Sequence, residues 1–151
     1  MNLFLDIEGT LIESMDDQTP TIYFEKIREF VKSNCKTVWI FSYAIYNEED
    51  MPENLLKFFQ ESFGVEIIIV PKMELYPIFQ KRFGVISEMD FFDFSSNKQF
   101  GFQLFGMEVS SNEETKKFYK LDNEGILLID DRVEDSDMTY NGFKIQTVRV
   151  T

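Results

Sequence analysis

Short apolar runs alternate with stretches of helical spacing along this chain, and that alternation predicts an α/β fold with a mainly parallel sheet. Strands are predicted at 2–6, 36–42, 65–70, 125–130 and 142–150. Helices are predicted from Thr21, from Pro52 to Gly64, over 74–83 with Pro77 in the first turn, and from Ser110 or Ser111 to about Leu121. The run at 65–70 is continuously apolar, so we expect both of its faces to be covered.

No repeat, low-complexity tract or Pro/Gly/Ser linker divides the chain of 151 residues. Because 44% of the residues are hydrophobic, we predict one domain, 1–151, around one sizeable core. The segment 71–110 fits this pattern least and is expected to be a small insert that acts as a flap or cap. Within it, 91–107 is rich in phenylalanine and interrupted by glycine, and the alternation around Phe100 and Phe102 predicts a hairpin or an extended flap.

Composition excludes several classes of function. The formal net charge of −12 argues against a nucleic-acid binder and against docking on an anionic membrane, because both need a basic surface. No apolar run is long enough to span a bilayer, and the single cysteine, Cys35, fits a reducing cytoplasm. The sequence has no histidine, which excludes a Ser-His-Asp mechanism and imidazole metal sites. Chemistry in this protein therefore depends on carboxylates, hydroxyls, lysines and a hard cation.

Three of the predicted strands end in polar residues that we expect to meet. Parallel strands place their carboxyl ends at one edge of the sheet, where open α/β folds bind ligands. The polar residues at or just after these ends are Asp6, Glu8, Ser42, Asp130, Asp131 and Asp135. Carboxylates this close raise one another's pKa unless a cation neutralises them. Mg²⁺ is the natural candidate because it prefers a few carboxylates together with a substrate phosphate.

These residues resemble the motifs of the haloacid dehalogenase-like (HAD) superfamily. The segment 6–11, Asp-Ile-Glu-Gly-Thr-Leu, resembles the first motif, although the family usually has Asp where this chain has Glu8. Ser42 resembles the second-motif hydroxyl, and Asp130-Asp131 with Asp135 resembles the fourth-motif acids. The resemblance implies a Rossmannoid three-layer sandwich. It also implies a phosphatase without a large cap, because only about 30 residues separate the first motif from the second.

The resemblance also implies a mechanism. Asp6 would attack phosphorus to give an aspartyl-phosphate, and Glu8 would protonate the leaving oxygen and then deprotonate the hydrolytic water. Ser42, Gly9 and Thr10 would bind the phosphoryl oxygens together with a lysine. The residues implied to hold Mg²⁺ are Asp6, Glu8 through its carbonyl, Asp130, Asp131 and Asp135.

The identity of the charge-balancing lysine stays open at this point. Lys116 suits best, because 116–121 resembles the lysine-led helix that precedes the acid pair in small phosphatases of the family. Lys117 is the next choice, and Lys98 remains a third candidate.

The acidic charge favours a small phosphorylated metabolite or nucleotide as the substrate over a nucleic-acid end. Two alternatives remain at this stage. One is a phosphatase of macromolecular phosphates, and the other is a non-catalytic HAD-like binding protein that acts through the aromatic segment 91–107. If the phenylalanines of that segment are exposed, they form a patch that favours a homodimer.

Overall fold

The computed structural model describes residues 1–150, over which the chain forms six strands and six α-helices. The strands are β1 (Asn2–Leu5), β2 (Thr37–Ile40), β3 (Glu66–Ile69), β4 (Gly125–Asp130), β5 (Ser136–Tyr140) and β6 (Phe143–Arg149). The helices are α1 (Phe24–Asn34), α2 (Glu53–Phe63), α3 (Leu75–Phe83), α4 (Glu88–Phe94), α5 (Lys98–Ser110) and α6 (Glu113–Phe118). Within these residues, no helix has the length and apolarity that crossing a membrane requires.

The strands form one sheet in the order β3-β2-β1-β4-β6-β5. All neighbouring strands are parallel except β5 and β6, which are antiparallel. In β1, Leu5 is paired with Ile40 on one side and with Ile129 on the other. The chain thus extends the sheet in both directions from β1, and the strand order reverses between β1 and β4. A reversal of this kind leaves a crevice at the carboxyl ends of the two strands.

Helices cover both faces of the sheet, because successive strand residues point to opposite faces. On one face, Leu3 and Leu5 of β1 pack in a core to which α1 and α2 contribute. On the other face, Phe4 contacts Phe102 and Phe105 of α5. These three layers confirm the predicted α/β class with a mainly parallel sheet, in a Rossmann-like arrangement. The HAD-like form of this fold stays a prediction.

Most of the predicted elements are present, with ends shifted by a few residues. Helix α2 ends at Phe63 and is capped by Gly64, whose φ of +65° is the left-handed conformation that glycine adopts without strain. Helix α3 accommodates Pro77 in its first turn, as predicted. The expectation of a strand covered on both faces at 65–70 is wrong, because β3 is an edge strand whose residues are exposed or only partly buried.

The segment 91–107 is helical, so the predicted hairpin or extended flap is wrong. Helices α4 and α5 each begin after a side-chain cap, where Ser87 accepts from Asp90 N–H and Asn97 accepts from Phe100 N–H. The buried phenylalanines of this segment are Phe91, Phe102 and Phe105. They pack in the core on one face of the sheet. The segment 71–110 therefore contributes α3, α4 and α5 to that core and does not form a β-rich flap.

Strand β5 (Ser136–Tyr140) is not among the predicted elements. It forms a hairpin with β6 through Asn141 and Gly142, which have φ values of +52° and +79°. Two central residues with positive φ are typical of the tight turns that join antiparallel strands, and Asn-Gly is their strongest sequence signal. The Asn141-Gly142 dipeptide is thus the sequence feature that indicates a further strand, β5, at the edge of the sheet.

Candidate active site

Asp6 and Asp130 lie side by side at the point where the strand order reverses. Asp6 directly follows β1, and its backbone N–H donates to the carbonyl of Ile129 in β4 (3.1 Å). Asp130 is the last residue of β4 and is fully buried, whereas Asp131 is partly buried. One carboxylate oxygen from each of the three acids lies within 4.8 Å of the other two. The structure thus brings together the acids that resemble those of the first and fourth motifs.

Lys98 lies between two of these acids. Its Nζ is 2.6 Å from Oδ1 of Asp6 and 2.5 Å from Oδ2 of Asp130. Its side chain is only 10% exposed, so water screens this contact weakly. Lys98 is also the first residue of α5, so the positive end of that helix lies at the same place. Lys98, the third candidate, is therefore the lysine that the fold brings to the acids.

Lys116, the preferred candidate, lies elsewhere, and this is a correction. Its Nζ donates to Oε1 of Glu113 (2.9 Å) and to Oδ1 of Asn123 (3.0 Å). Asn123 precedes β4, so this lysine is at the amino edge of the sheet, whereas Asp6 and Asp130 are at the carboxyl edge. Helix α6, which also carries Lys117, is only six residues long, and its sequence position does not indicate which edge of the sheet it approaches.

Gly9 and Thr10 pack against the carboxylates of Asp131 and Asp6, respectively. Gly9 has a φ of +76°, and a Cβ atom built on it would overlap the carboxylate of Asp131. Thr10 is completely buried, and its hydroxyl donates to Oδ2 of Asp6 (3.3 Å). Thr10 therefore positions the Asp6 carboxylate, and its side chain does not line the cavity above it.

Glu8 and Ser42 line an open cavity of about 540 Å³ above the acids. Oε2 of Glu8 accepts a hydrogen bond from the backbone N–H of Met15 (2.8 Å), which holds this carboxylate against the loop after β1. Oγ of Ser42 accepts from the backbone N–H of Ala44 (3.3 Å). The other residues around the cavity are Asp6, Tyr43, Ala44, Ser96, Asn97, Lys98, Gln99, Asp130, Arg132 and Glu134.

Asp135 does not join the acid cluster, which corrects its assignment as a metal ligand. Its Oδ1 accepts a hydrogen bond from the backbone N–H of Arg149 (2.8 Å), so it fastens the end of β6 to the loop after β4. Among residues 1–150, the carboxylates close enough together to bind one metal ion are those of Asp6, Asp130 and Asp131, and the Glu8 carboxylate is not one of them. Any part that Glu8 has in holding a metal is then through its main-chain carbonyl.

Asp6 is held in an environment that disfavours its charged form. Burial raises the pKa of Asp6 to about 7, the Lys98 ammonium acts against this rise, and Asp130 and Asp131 add to it. Oδ1 of Asp131 is buried without a hydrogen-bond partner, and Oδ2 of Asp130 has its ion pair with Lys98 but no well-directed hydrogen bond. Carboxylate oxygens of three aspartates close to one point, that of Asp131 without any partner, are a donor set that fits a hard divalent cation such as Mg²⁺.

Tyr43, Asn97 and Arg132 are among the cavity residues that were not predicted as site residues. The ring of Tyr43 lies between two lysines, with its centroid 5.7 Å from Nζ of Lys98 and 4.3 Å from Nζ of Lys72. Tyr43 directly follows Ser42, and Arg132 directly follows the acid pair. Their adjacency to motif residues at strand ends was the signal that could have identified them.

Comparison with known proteins finds no relative: no protein-family model, no curated protein and no solved structure matches this chain. An interpretation of the site consequently depends on its own geometry. That geometry is a buried lysine between two aspartates, with a third aspartate beside them, at the strand-order reversal of a mainly parallel sheet.

Proposed function

We propose that this protein is a Mg²⁺-dependent phosphomonoester hydrolase of the HAD type, with Asp6 as its nucleophile. The observation that carries the proposal is the contact of Lys98 with both Asp6 and Asp130, beside the free carboxylate of Asp131. A lysine placed among acids in this way keeps one carboxylate available for attack, and it adds positive charge where a phosphoryl group must bind.

In this proposal Asp6 carries the covalent step. One of its carboxylate oxygens attacks phosphorus, the bond from phosphorus to the leaving oxygen breaks, and the departing alcohol takes a proton from Glu8. Water then attacks the phosphorus of the aspartyl-phosphate and gives its proton to Glu8, which regenerates Asp6 and releases inorganic phosphate. The bonds from Lys98 and Thr10 orient the Asp6 carboxylate for the attack.

Glu8 must change its contact to act as acid and base. Its carboxylate is bound to the backbone N–H of Met15, and its side chain is one methylene longer than the usual aspartate of the family. In our proposal, Glu8 releases Met15 when a substrate enters and turns toward the leaving oxygen. It already lines the cavity, so this requires a side-chain rotation and no movement of β1.

The phosphoryl oxygens have several donors within reach of the cavity. Ser42 contributes a hydroxyl, and α5 contributes the positive end of its dipole together with Lys98. Mg²⁺ would be held by Asp6, Asp131 and the carbonyl of Glu8, and when bound it would supply charge neutralisation for the phosphoryl group and for these acids.

A small phosphorylated substrate remains the preferred class. The walls formed by Ser96, Asn97 and Gln99 bound the cavity on the α5 side, and the net charge of −12 opposes polyanions. The alternative of binding through the aromatic segment, and a homodimer through it, stays a prediction, because Phe91, Phe102 and Phe105 are buried in the core whereas Phe92, Phe94 and Phe100 are exposed.

The test is hydrolysis of p-nitrophenyl phosphate with and without Mg²⁺, for the wild type and for Asp6→Asn. We expect turnover that requires the metal and that is lost in the variant. A second readout is a stable adduct of beryllium trifluoride on Asp6, which mimics the phosphorylated carboxylate. A folded protein that binds Mg²⁺ but hydrolyses no member of a phosphomonoester panel, and forms no adduct, would overturn the proposal.

A further inference from the structure

Arg132 is a cation of the cavity that the proposed chemistry does not use. It lines the cavity directly after the acid pair and its side chain is exposed. Within residues 1–150, its guanidinium has no hydrogen bond or ion pair, whereas the ammonium of Lys98 already contacts two acids. Arginine offers five N–H donors in a planar fork, and here all of them are available to a ligand.

Glu134, an acid that lines the same cavity, has its ion pair with a different arginine. Oε1 of Glu134 lies 3.6 Å from Nη1 of Arg149, so Glu134 is paired on the other side. The base of the Arg132 side chain is fixed, because its backbone N–H donates to Oδ1 of Asp130 (2.8 Å) and the next residue, Val133, is buried. The guanidinium therefore extends from a rigid point beside the acids.

The two amides of the cavity wall also present donors. Oδ1 of Asn97 accepts from Phe100 N–H (3.0 Å), and Oε1 of Gln99 accepts from Glu134 N–H (2.9 Å). Each amide thus uses its oxygen within the protein and keeps its NH₂ group for a ligand. With Arg132, this wall combines a free guanidinium with two amide donors, a set of groups that recognises an anion.

We propose that Arg132 binds a second anionic group on the leaving portion of the substrate, a carboxylate or a second phosphate. This inference rests on the proposed function, since the first anionic group is the phosphoryl that Asp6 attacks. The amides of Asn97 and Gln99 border the same region and share in its recognition. The substrate class is then a small phosphomonoester with a second acidic group, and neutral alcohol phosphates are poor substrates.

The experiment compares ethyl phosphate, phosphoglycolate and ethylene glycol bisphosphate as substrates of the wild type, Arg132→Met and Arg132→Lys. We expect kcat/KM of the wild type to be about 10- to 100-fold higher for at least one doubly anionic substrate than for ethyl phosphate. Comparison of phosphoglycolate with ethylene glycol bisphosphate shows whether the second anionic group is preferred as a carboxylate or as a phosphate. In Arg132→Met this ratio falls to about 1, mainly through KM, and Arg132→Lys restores part of it. Arg82→Met, which removes an exposed arginine of α3, is the matched control and keeps the wild-type ratio.

Binding to Asp6→Asn with Mg²⁺, measured by calorimetry, separates this inference from the proposed function. Turnover with equal kcat/KM for all three substrates overturns the role of Arg132 and leaves the phosphatase intact. Absence of turnover together with Arg132-dependent binding of phosphoglycolate or the bisphosphate overturns the phosphatase and supports the anion site. A preference that survives in Arg132→Met assigns the recognition to other residues and also overturns the inference.

Discussion

Lys98 places its ammonium 2.6 Å from Oδ1 of Asp6, a residue 92 positions earlier in the chain. The contact joins the first turn of α5 to the residue that follows β1, and it is buried on both sides. The same ammonium contacts Asp130 at the end of β4. One side chain therefore ties together the two central strands and the helical layer at the proposed catalytic point.

Lys98→Met should abolish most of the activity while Lys116→Met should not. Without Lys98 the phosphoryl group loses a charged donor, and we expect kcat to fall by about 10²-fold or more. Lys116 is equally buried but contacts Glu113 and Asn123 at the other edge of the sheet, so it is the matched control. Steady-state hydrolysis of p-nitrophenyl phosphate measures both effects. Similar losses in the two variants would show that Lys98 acts through stability alone.

Asp6→Asn should stabilise the metal-free protein at pH 8. The pKa of Asp6 is about 7 in the folded state against an ordinary value of 3.8, so the folded protein holds a proton that the unfolded chain releases between these values. The contribution of Asp6 to stability is full below about pH 4 and is lost as the pH rises through 7. We expect the variant to gain about 1–2 kcal/mol at pH 8.

Urea unfolding in EDTA at pH 5 and pH 8 measures this difference. The wild type should lose stability from the lower to the higher pH, and Asp6→Asn should lose less. A variant less stable than the wild type at pH 8 would mean that the ion pair with Lys98 outweighs the burial of the carboxylate.

The acids of this site could be predicted from the sequence, because each one follows an apolar run and parallel strands end at the same edge. Asp6, Ser42 and Asp130 all reached the expected edge for that reason. The lysine could not be chosen, because sequence spacing does not tell which end of the sheet a helix approaches. The helix that carries Lys98 was also difficult to predict, because the aromatic alternation around Phe100 resembles that of a strand. In the structure the buried rings of Phe102 and Phe105 are at helical spacing.

Mg²⁺ should stabilise the wild type, and Asp131→Asn should remove most of that effect. The free oxygen of Asp131 is buried, and binding to the folded state alone adds about 2.7 kcal/mol when the ion is 100-fold above its Kd. Asp135→Asn is the control, because an asparagine oxygen can still accept from Arg149 N–H. Thermal unfolding against Mg²⁺ concentration gives the comparison. If both variants lose the Mg²⁺-induced rise in unfolding temperature equally, the ion lies nearer to Asp135.

Gly9→Ala should weaken Mg²⁺ binding, whereas Gly64→Ala should not. Both glycines have a left-handed φ, so each substitution costs about 1–2 kcal/mol in backbone strain. A Cβ at Gly9 also overlaps the Asp131 carboxylate, whereas a Cβ at Gly64 meets no atom within 4 Å. Unfolding in urea measures the shared strain, and calorimetric titration with Mg²⁺ measures the difference. Unchanged affinity in Gly9→Ala would show that Asp131 is not a ligand.

Phe102→Ala should be strongly destabilising, because the aromatic segment is part of the core. Phe102 is completely buried and packs edge-on against Phe4 and Phe41, so we expect a loss of about 3–5 kcal/mol in the free energy of unfolding. Phe94, in the same segment, is 53% exposed, and Phe94→Ala should cost under about 1 kcal/mol. Urea denaturation of the two variants tests the contrast, and similar small losses would mean that α5 is not packed on the sheet in solution.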